Sequence, residues 1–249
     1  MASLDDVKQI EKLDLEKMGN DIAALPDQVE AGWQDFKGLT VPTHYVQAKN
    51  ILILGMGGSA IGGELAAALA GATATVPIEV RRDYGLPGYV GKDTLVIGGS
   101  YSGNTEETLD GFRQAATRGA KLLAVSTGGE ISSLARKFQI PVLSIDYGSQ
   151  PRAALGYLFM AVMVILAKLR HVELTEREVT ETAALMRGLS SKLVPKVATS
   201  DNLAKQLAVK LKDRIPLIIG AGPMATVAKR WKTQFNENGK VAAVAEVMP

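Results

Sequence analysis

The chain of 249 residues is 47% hydrophobic and 22% charged, a composition typical of a folded protein with one sizeable core or two modest ones. Its 28 basic and 26 acidic residues nearly cancel, which argues against a nucleic-acid surface or a polybasic membrane patch. Because the chain has no cysteine, it has no disulfide, thiolate nucleophile or zinc–thiolate site. These features favour a small-molecule partner.

The N-terminal segment, residues 1–17, predicts an amphipathic helix with Ser3 as its N-cap, and its charges do not fit a secretory signal peptide. An uncharged stretch from Ala153 to Ala167 is shorter than the roughly 20 apolar residues that a membrane-spanning helix needs. We therefore predict a core or subunit-contact helix there, no membrane partner and a cytoplasmic location.

Short apolar runs alternate with helical segments from about residue 49 onward. The runs do not alternate strictly between apolar and polar residues, which is typical of parallel strands covered on both faces. They are Ile51–Leu54, Ile78–Arg81, Leu95–Ile97, Leu122–Val125 and Val142–Ile145. Helices are predicted over about residues 60–70, 105–118 and 132–138. The fold class is therefore α/β, with a doubly wound parallel sheet.

The C-terminal part repeats one element of this pattern. After a polar helix with a Thr175–Glu178 capping box, residues 216–225 echo residues 51–60 in an apolar strand, a Gly-x-Gly turn and a following alanine. This echo predicts a second, incomplete α/β subdomain with a strand near Val241–Val244. The predicted organisation is N-terminal helices (1–48), a first subdomain (49–172), and helices with a partial second subdomain (173–249).

Two turns rich in small residues, Gly55–Gly63 and Ser100–Thr108, each follow an apolar strand and open a predicted helix. A helix N-terminus exposes unpaired N–H groups and carries a partial positive charge. Because both turns follow strands of one parallel sheet, we expect them to converge on an anion, most simply a phosphate.

The first turn also satisfies a loose dinucleotide-binding fingerprint, Gly55-x-Gly57-x-x-Ala60, with Glu79 near the position of a ribose-binding acid. A nicotinamide-dependent oxidoreductase is therefore an alternative. The Ser100–Thr108 turn argues against it, because a dinucleotide fold does not need several hydroxyls after a later strand.

The second turn contains three hydroxyl side chains, those of Ser100, Ser102 and Thr105. Their close spacing predicts a clamp around a phosphate monoester. Hydrogen bonds to a charged group contribute roughly 1.5–3 kcal/mol each, enough to hold a small sugar phosphate. Asn104 and Glu107 are interpreted instead as the N-cap of the following helix and its capping-box partner.

On these residues the chain resembles the sugar isomerase (SIS) domain superfamily, and within it the bifunctional phosphoglucose/phosphomannose isomerases. The serine turn alone indicates only the superfamily, whereas its combination with the Pro-Arg and Asn-Glu-Asn segments is much more specific. The matching segments are Gly55–Gly63, Ser100–Thr108, Gln150–Arg152 and Arg230–Asn238.

The resemblance implies interconversion of glucose 6-phosphate or mannose 6-phosphate with fructose 6-phosphate through a cis-enediol, with no cofactor. By the same resemblance, Glu237 is the base that moves a proton between C1 and C2, and Arg152 stabilises the negative charge on the enediol oxygen. The phosphate would be held by the amides of Gly57 and Gly58 and by the hydroxyls of Ser59, Ser100, Ser102 and Thr105.

Some independent reasoning supports Glu237, because it lies near the predicted end of a helix before Gly239, where the helix dipole disfavours a carboxylate. By sequence alone, however, Glu237 could be solvated and Arg152 could cap a helix or pair with an acid. His44 and His171 are interpreted as structural or exposed. No cluster of histidines and acids has metal-ligand spacing, so no metal is predicted.

The family's proteins continue beyond the position of Pro249 with a Glu-Leu-Asn-His segment and a C-terminal lysine. Their histidine assists ring opening in the neighbouring subunit of a dimer. The resemblance therefore implies a homodimer, and for this chain a slow isomerase that acts mainly on open-chain sugar. A sugar-phosphate sensor without catalysis is a further alternative, since the same domain serves regulators that only bind ligand.

Overall fold

The computed structural model describes residues 4–248 and divides the chain into two compact units. The first, Gln28–Glu176, is called the sheet unit here. The second combines Met1–Asp27 with Arg177–Pro249 and is called the terminal unit.

One parallel sheet forms the centre of the sheet unit. Its strands are β1 (Asn50–Leu54), β2 (Ile78–Arg81), β3 (Thr94–Gly99), β4 (Lys121–Ser126) and β5 (Val142–Ser144), in the order β2-β1-β3-β4-β5. All five predicted strands are confirmed at their predicted places. The residues of β3 are buried along its whole length, as expected for a strand that is covered on both faces.

Helices cover both faces of this sheet, as right-handed crossovers require. The helices are α3 (Leu25–Phe36), α4 (Gly57–Ala70), α5 (Glu106–Thr117), α6 (Gly129–Lys137) and α7 (Leu155–Lys168). Of these, α4, α5 and α6 contact the strands, and α7 packs on α4. On one face, Leu52 and Val96 pack in a buried cluster with Phe112 of α5 and Ile131 of α6. Both α4 and α6 begin three residues earlier than predicted, because Gly57 and Gly129 each start the first turn of their helix.

On the other face, glycines bring α4 into close contact with its neighbours. A Cβ at Gly62 would lie 3.0 Å from Leu158 Cβ of α7, and one at Gly63 would lie 2.8 Å from Ile53 Cγ2 of β1. Since ten of the fourteen residues of α7 are buried, the predicted apolar helix is a core helix. Within residues 4–248, no helix is long and apolar enough to cross a membrane.

The terminal unit contains a two-stranded parallel sheet. Its elements are α1 (Val7–Leu13), α2 (Met18–Ala23), α8 (Glu176–Ser190), α9 (Leu203–Leu211), β6 (Leu217–Gly220), α10 (Met224–Glu237) and β7 (Val244–Val247). The strand–turn–helix repeat predicted from residue 216 is present as β6 and α10. The last strand lies three residues later than predicted, because Val241 is held in a turn by its N–H bond to Phe235 O.

The prediction of one helix over residues 1–17 is wrong. The carboxylate of Asp6 caps α1 by accepting from Gln9 N, whereas the predicted cap, Ser3, lies outside the described residues. The helix stops at Leu13 because the Asp14 carboxylate accepts from the first N–H groups of α2, those of Met18 and Gly19, each at 2.7 Å.

Candidate functional site

The two predicted anion-binding turns lie at the carboxyl edge of the sheet, after the adjacent strands β1 and β3. The strand order reverses between these two strands, since β2 lies on one side of β1 whereas β4 and β5 lie beyond β3. Ligands of open α/β sheets bind at such a switch point.

A direct hydrogen bond joins the two turns. The backbone N–H of Tyr101 donates to Ser59 Oγ at 3.1 Å, and both residues are buried. In the second turn, Ser100 Oγ lies 2.9 Å from Thr105 Oγ1. The structure therefore brings the hydroxyls of Ser59, Ser100 and Thr105 to one edge of the sheet.

The other predicted phosphate ligands also belong to these turns. Gly57, at φ +48°, and Gly58 are the first two residues of α4, where the backbone N–H groups have no acceptor within the helix. Ser102 is exposed, and its Oγ accepts from Asn104 N at 3.3 Å. Positive φ at Gly57 is readily adopted only by glycine, which explains the residue type at this helix start.

A third turn, which follows β4, also reaches this edge. Gly103, at φ +76°, lies so close to it that a Cβ would come within 2.7 Å of the Gly128 carbonyl carbon. The prediction that Asn104 caps α5 is wrong, because Thr105 is the N-cap of α5 and Asn104 Oδ1 accepts from Glu130 N of α6 at 2.9 Å. Asn104 thus fixes the third turn to the second.

The half-buried Arg152 is carried by a loop that packs against the first turn. A Cβ at Gly58 would lie 2.8 Å from the Pro151 carbonyl carbon and 3.2 Å from Arg152 N. The loop backbone therefore contacts the start of α4, and the backbone of Arg152 lies directly beside the first of the two predicted anion-binding turns.

Two residues that the sequence reasoning did not select hold this loop. The Tyr101 hydroxyl donates to Tyr147 O and accepts from Ser149 N, so the second turn is fastened to the loop. Gln28, which is 2% exposed, donates from Nε2 to Ala153 O at 2.8 Å and accepts from Gly156 N at 3.0 Å. Neither residue follows a recognisable sequence pattern, because its partners lie far along the chain.

The geometry around Glu79 does not fit a ribose-binding acid. Glu79 lies inside β2, where it pairs with Leu52 of β1, and Arg81 is the residue that ends β2 at the carboxyl edge. Its carboxylate accepts from the Tyr89 hydroxyl at 2.6 Å. Burial, together with this bond to a carboxylate, raises the pKa of Tyr89 to about 12. Glu79 is thus engaged away from the edge where a dinucleotide would bind.

The candidate base, Glu237, belongs to the terminal unit. It is half-buried and is the last residue of α10, which ends within two residues of the predicted position. The turn that follows is held by Asn236, whose Nδ2 donates to Val241 O at 2.9 Å.

The two histidines are not part of these turns, and their neighbours are the side chains of Thr75 and Tyr45. His171 is 5% exposed, its Nδ1 lies 3.5 Å from Thr75 Oγ1, and burial lowers its pKa. His44 is exposed and contacts the ring of Tyr45 edge-on. In the part of the chain that the structure describes, no group of three or more histidines and acids could hold a metal ion.

Comparison with known families identifies both α/β segments. Residues 44–169 match the SIS domain, and residues 200–249 match the bacterial phospho-glucose isomerase C-terminal SIS domain. The chain is 40% identical over 224 residues to a bifunctional phosphoglucose/phosphomannose isomerase of Caldicellulosiruptor bescii, covering 90% of this chain and 66% of the relative. The corresponding protein of Pyrobaculum aerophilum is 30% identical, with 87% and 68% covered.

Among solved structures, the C-terminal domain of glucosamine-fructose-6-phosphate aminotransferase from Francisella tularensis is similar in fold. Its TM-score is 0.64 at 18% identity, covering 92% of this chain and 68% of that one. The chain spans about two thirds or less of the length of the first curated relatives that it matches. By the match over half of its length and by these relatives, this chain belongs to the SIS domain family, on the branch of the bifunctional phosphoglucose/phosphomannose isomerases.

Proposed function

We propose that the protein is an aldose–ketose isomerase that interconverts glucose 6-phosphate or mannose 6-phosphate with fructose 6-phosphate. The observation that carries this proposal is the hydrogen bond from Tyr101 N to Ser59 Oγ, which joins two helix-opening turns at the switch point of the sheet. Such a pair of turns suits the dianionic phosphate of a sugar better than the diphosphate of a dinucleotide.

The proposed phosphate site combines backbone and side-chain donors. The N–H groups of Gly57 and Gly58 open α4, and the hydroxyls of Ser59, Ser100, Ser102 and Thr105 lie in the same two turns. Hydroxyl groups can rotate to donate to whichever phosphate oxygen is nearest, and the helix dipole favours the anion. Binding at the phosphate leaves the C1 and C2 end of the sugar for chemistry.

In the proposed reaction, Glu237 removes a proton from C1 of the open-chain ketose, and negative charge develops on the C2 oxygen. Delivery of that proton to C2, with transfer of a hydroxyl proton from O1 to O2, gives the aldose. Delivery to one face of C2 gives the glucose epimer and delivery to the other gives the mannose epimer. The Arg152 guanidinium stabilises the charged oxygen, because it stays protonated at neutral pH.

The experiment is to measure deuterium incorporation at C1 of fructose 6-phosphate in D2O by NMR, since this exchange reports the proton transfer directly. Replacing Glu237 by Gln keeps the size of the side chain and removes the base. We expect exchange to fall by about 10²–10⁴-fold while fructose 6-phosphate binding changes little. The matched control is Glu246→Gln on β7, an exposed acid of the same unit, which should exchange at the wild-type rate.

Exchange that survives in Glu237→Gln would contradict the assigned base. A wild-type chain that binds fructose 6-phosphate without any exchange would instead favour a sugar-phosphate sensor. Tight binding of a reduced nicotinamide cofactor would favour the oxidoreductase.

We also propose a homodimer and a cytoplasmic location, both supported by the family resemblance alone. The apolar helix α7 does not support the dimer, because its residues are buried within one chain. Analytical ultracentrifugation at micromolar concentration tests the dimer, and a monomer throughout would overturn it.

A further inference from the structure

Arg152 lies in a tight turn that closes just before α7. Ala153 N donates to Gln150 O at 2.8 Å, so these four residues form a β-turn with Pro151 and Arg152 at its two central positions. Proline is favoured at the first central position because its ring fixes φ near the value that the turn needs. The backbone of this turn therefore sets the point from which the Arg152 side chain extends.

The side-chain amide of Gln28, a buried residue of α3, holds the end of this turn. Its Nε2 donates to Ala153 O at 2.8 Å and to the Tyr147 hydroxyl at 3.2 Å. Its Oε1 accepts from Gly156 N at 3.0 Å. The two ends of one amide thus join the last residue of the turn to the start of α7.

The bond from Gly156 gives α7 a cap that its own sequence does not provide. The N-cap of α7, Ala154, has no side-chain acceptor, and the first N–H groups of a helix have no acceptor within the helix. A Cβ at Gly156 would lie 2.5 Å from Gln28 Cβ, so only glycine at this position lets Gln28 approach α7 so closely. Both backbone partners are buried, so a side chain without an amide would leave them unsatisfied.

We propose that Gln28 is a positioning residue: by holding the turn at Ala153, it keeps Arg152 in place against the start of α4. The turn backbone contacts that helix closely, since a Cβ at Gly58 would lie 3.2 Å from Arg152 N. This inference rests on the proposed function, in which the Arg152 guanidinium stabilises charge on the enediol oxygen. Gln28 acts on the reaction only through Arg152.

Gln28→Met tests this role, because methionine has a similar size but cannot donate to Ala153 O. We expect kcat for C1 exchange to fall about tenfold or more with KM for fructose 6-phosphate nearly unchanged, since Arg152 acts on charge that develops only during the reaction. If Gln28→Met does not fold, Gln28→Asn is the second variant. Its amide is one methylene shorter and cannot reach both Ala153 O and Gly156 N, so the same split between kcat and KM is expected.

The matched control is Tyr45→Phe, which also removes a buried hydrogen bond from the sheet unit. The Tyr45 hydroxyl donates to Leu122 O at 2.8 Å. Leu122 lies at the start of β4, and the anion-binding turns follow the carboxyl ends of the strands. That control should lower the midpoint of urea denaturation, as Gln28→Met should, and keep its kcat.

A double-mutant cycle separates positioning from general damage to the fold. In an Arg152→Ala background, Gln28→Met should change kcat by less than about twofold, because the side chain that Gln28 positions is already absent. An equal fall in kcat in both backgrounds would overturn the inference, and so would a wild-type kcat in folded Gln28→Met. Either result leaves the proposed isomerase intact.

A second measurement does not depend on catalysis. The Arg152 Nε–H signal in a ¹H–¹⁵N NMR spectrum, assigned by its loss in Arg152→Ala, should shift in Gln28→Met and stay in place in Tyr45→Phe. If the wild type shows no C1 exchange, the proposed function fails, and this signal still decides whether Gln28 fixes the surroundings of Arg152. A signal that does not move in Gln28→Met contradicts the positioning role.

Discussion

Substitution of Gly58 by Ala tests whether the backbone contact between α4 and the Arg152 loop matters for function. The added Cβ would lie even closer to the Pro151 carbonyl oxygen than the 2.8 Å that separates it from the carbonyl carbon, and ordinary contact begins at 3.4 Å, so the loop must retreat by about 1 Å. The helix cannot yield instead, because Gly62 and Gly63 already place it against α7 and β1. The displacement therefore falls on the loop that carries Arg152.

A misplacement of about 1 Å can cost roughly a hundredfold in rate, so we expect kcat/KM of Gly58→Ala to fall about 10- to 100-fold, equivalent to about 1.4–2.7 kcal/mol. Overpacking of this kind also lowers the free energy of unfolding by about 1–3 kcal/mol. The assays are C1 deuterium exchange and urea denaturation. Both are needed, because they separate a displaced loop from a damaged fold.

The matched control is Gly188→Ala in α8. Gly188 is exposed, and a Cβ there meets nothing within 4 Å, so alanine should stabilise the helix by about 0.5–1 kcal/mol and leave exchange unchanged. A folded Gly58→Ala protein with wild-type kcat/KM would refute the reasoning, since it would show that the loop position is irrelevant to the reaction.

Two further predictions follow from single side chains. Tyr101→Phe removes the hydroxyl that bonds Tyr147 O and Ser149 N. We therefore expect the free energy of unfolding, measured by urea denaturation, to fall by about 1–3 kcal/mol, and fructose 6-phosphate to bind more weakly by calorimetry. Unchanged values for both would contradict the role of this hydroxyl. Burial lowers the pKa of His171 from 6.5 in the folded protein. As pH drops below about 6.5, the unfolded chain therefore binds a proton at this histidine before the folded chain does, and Tm should fall. In His171→Gln this fall in Tm should be smaller, and an equal fall would show that other groups cause it.

The sheet could be predicted because its signal is local. Runs such as Leu95–Ile97 are apolar without alternation, and burial of β3 on both faces explains that pattern directly. The Ser100–Thr105 turn could likewise be predicted from the sequence, because a cluster of glycine and hydroxyl residues between a strand and a helix is typical of a turn at the carboxyl edge of the sheet. Both inferences needed only neighbours in sequence.

The support of the site could not be predicted, because it depends on partners far along the chain. Gln28 bonds Ala153 and Gly156 across more than a hundred residues, and no periodicity marks a glutamine for that role. Asn104 was misassigned for a related reason. Asparagine is a common N-cap of the helix that follows it, so the sequence predicted that Asn104 caps α5. In the structure, Asn104 Oδ1 instead accepts a hydrogen bond from Glu130 N of α6.

The glycines along α4 have one more consequence. Because two faces of this helix lack room for even a methyl group, we expect thermal motion of α4 to be limited by its direct contacts with the backbone of α7 and with the Ile53 side chain of β1. We therefore expect the amides of its first turn to keep one arrangement with and without a bound anion. Under the proposed function, a sugar phosphate would then immobilise only the hydroxyl groups on binding, which leaves more of its intrinsic interaction free energy to appear as affinity.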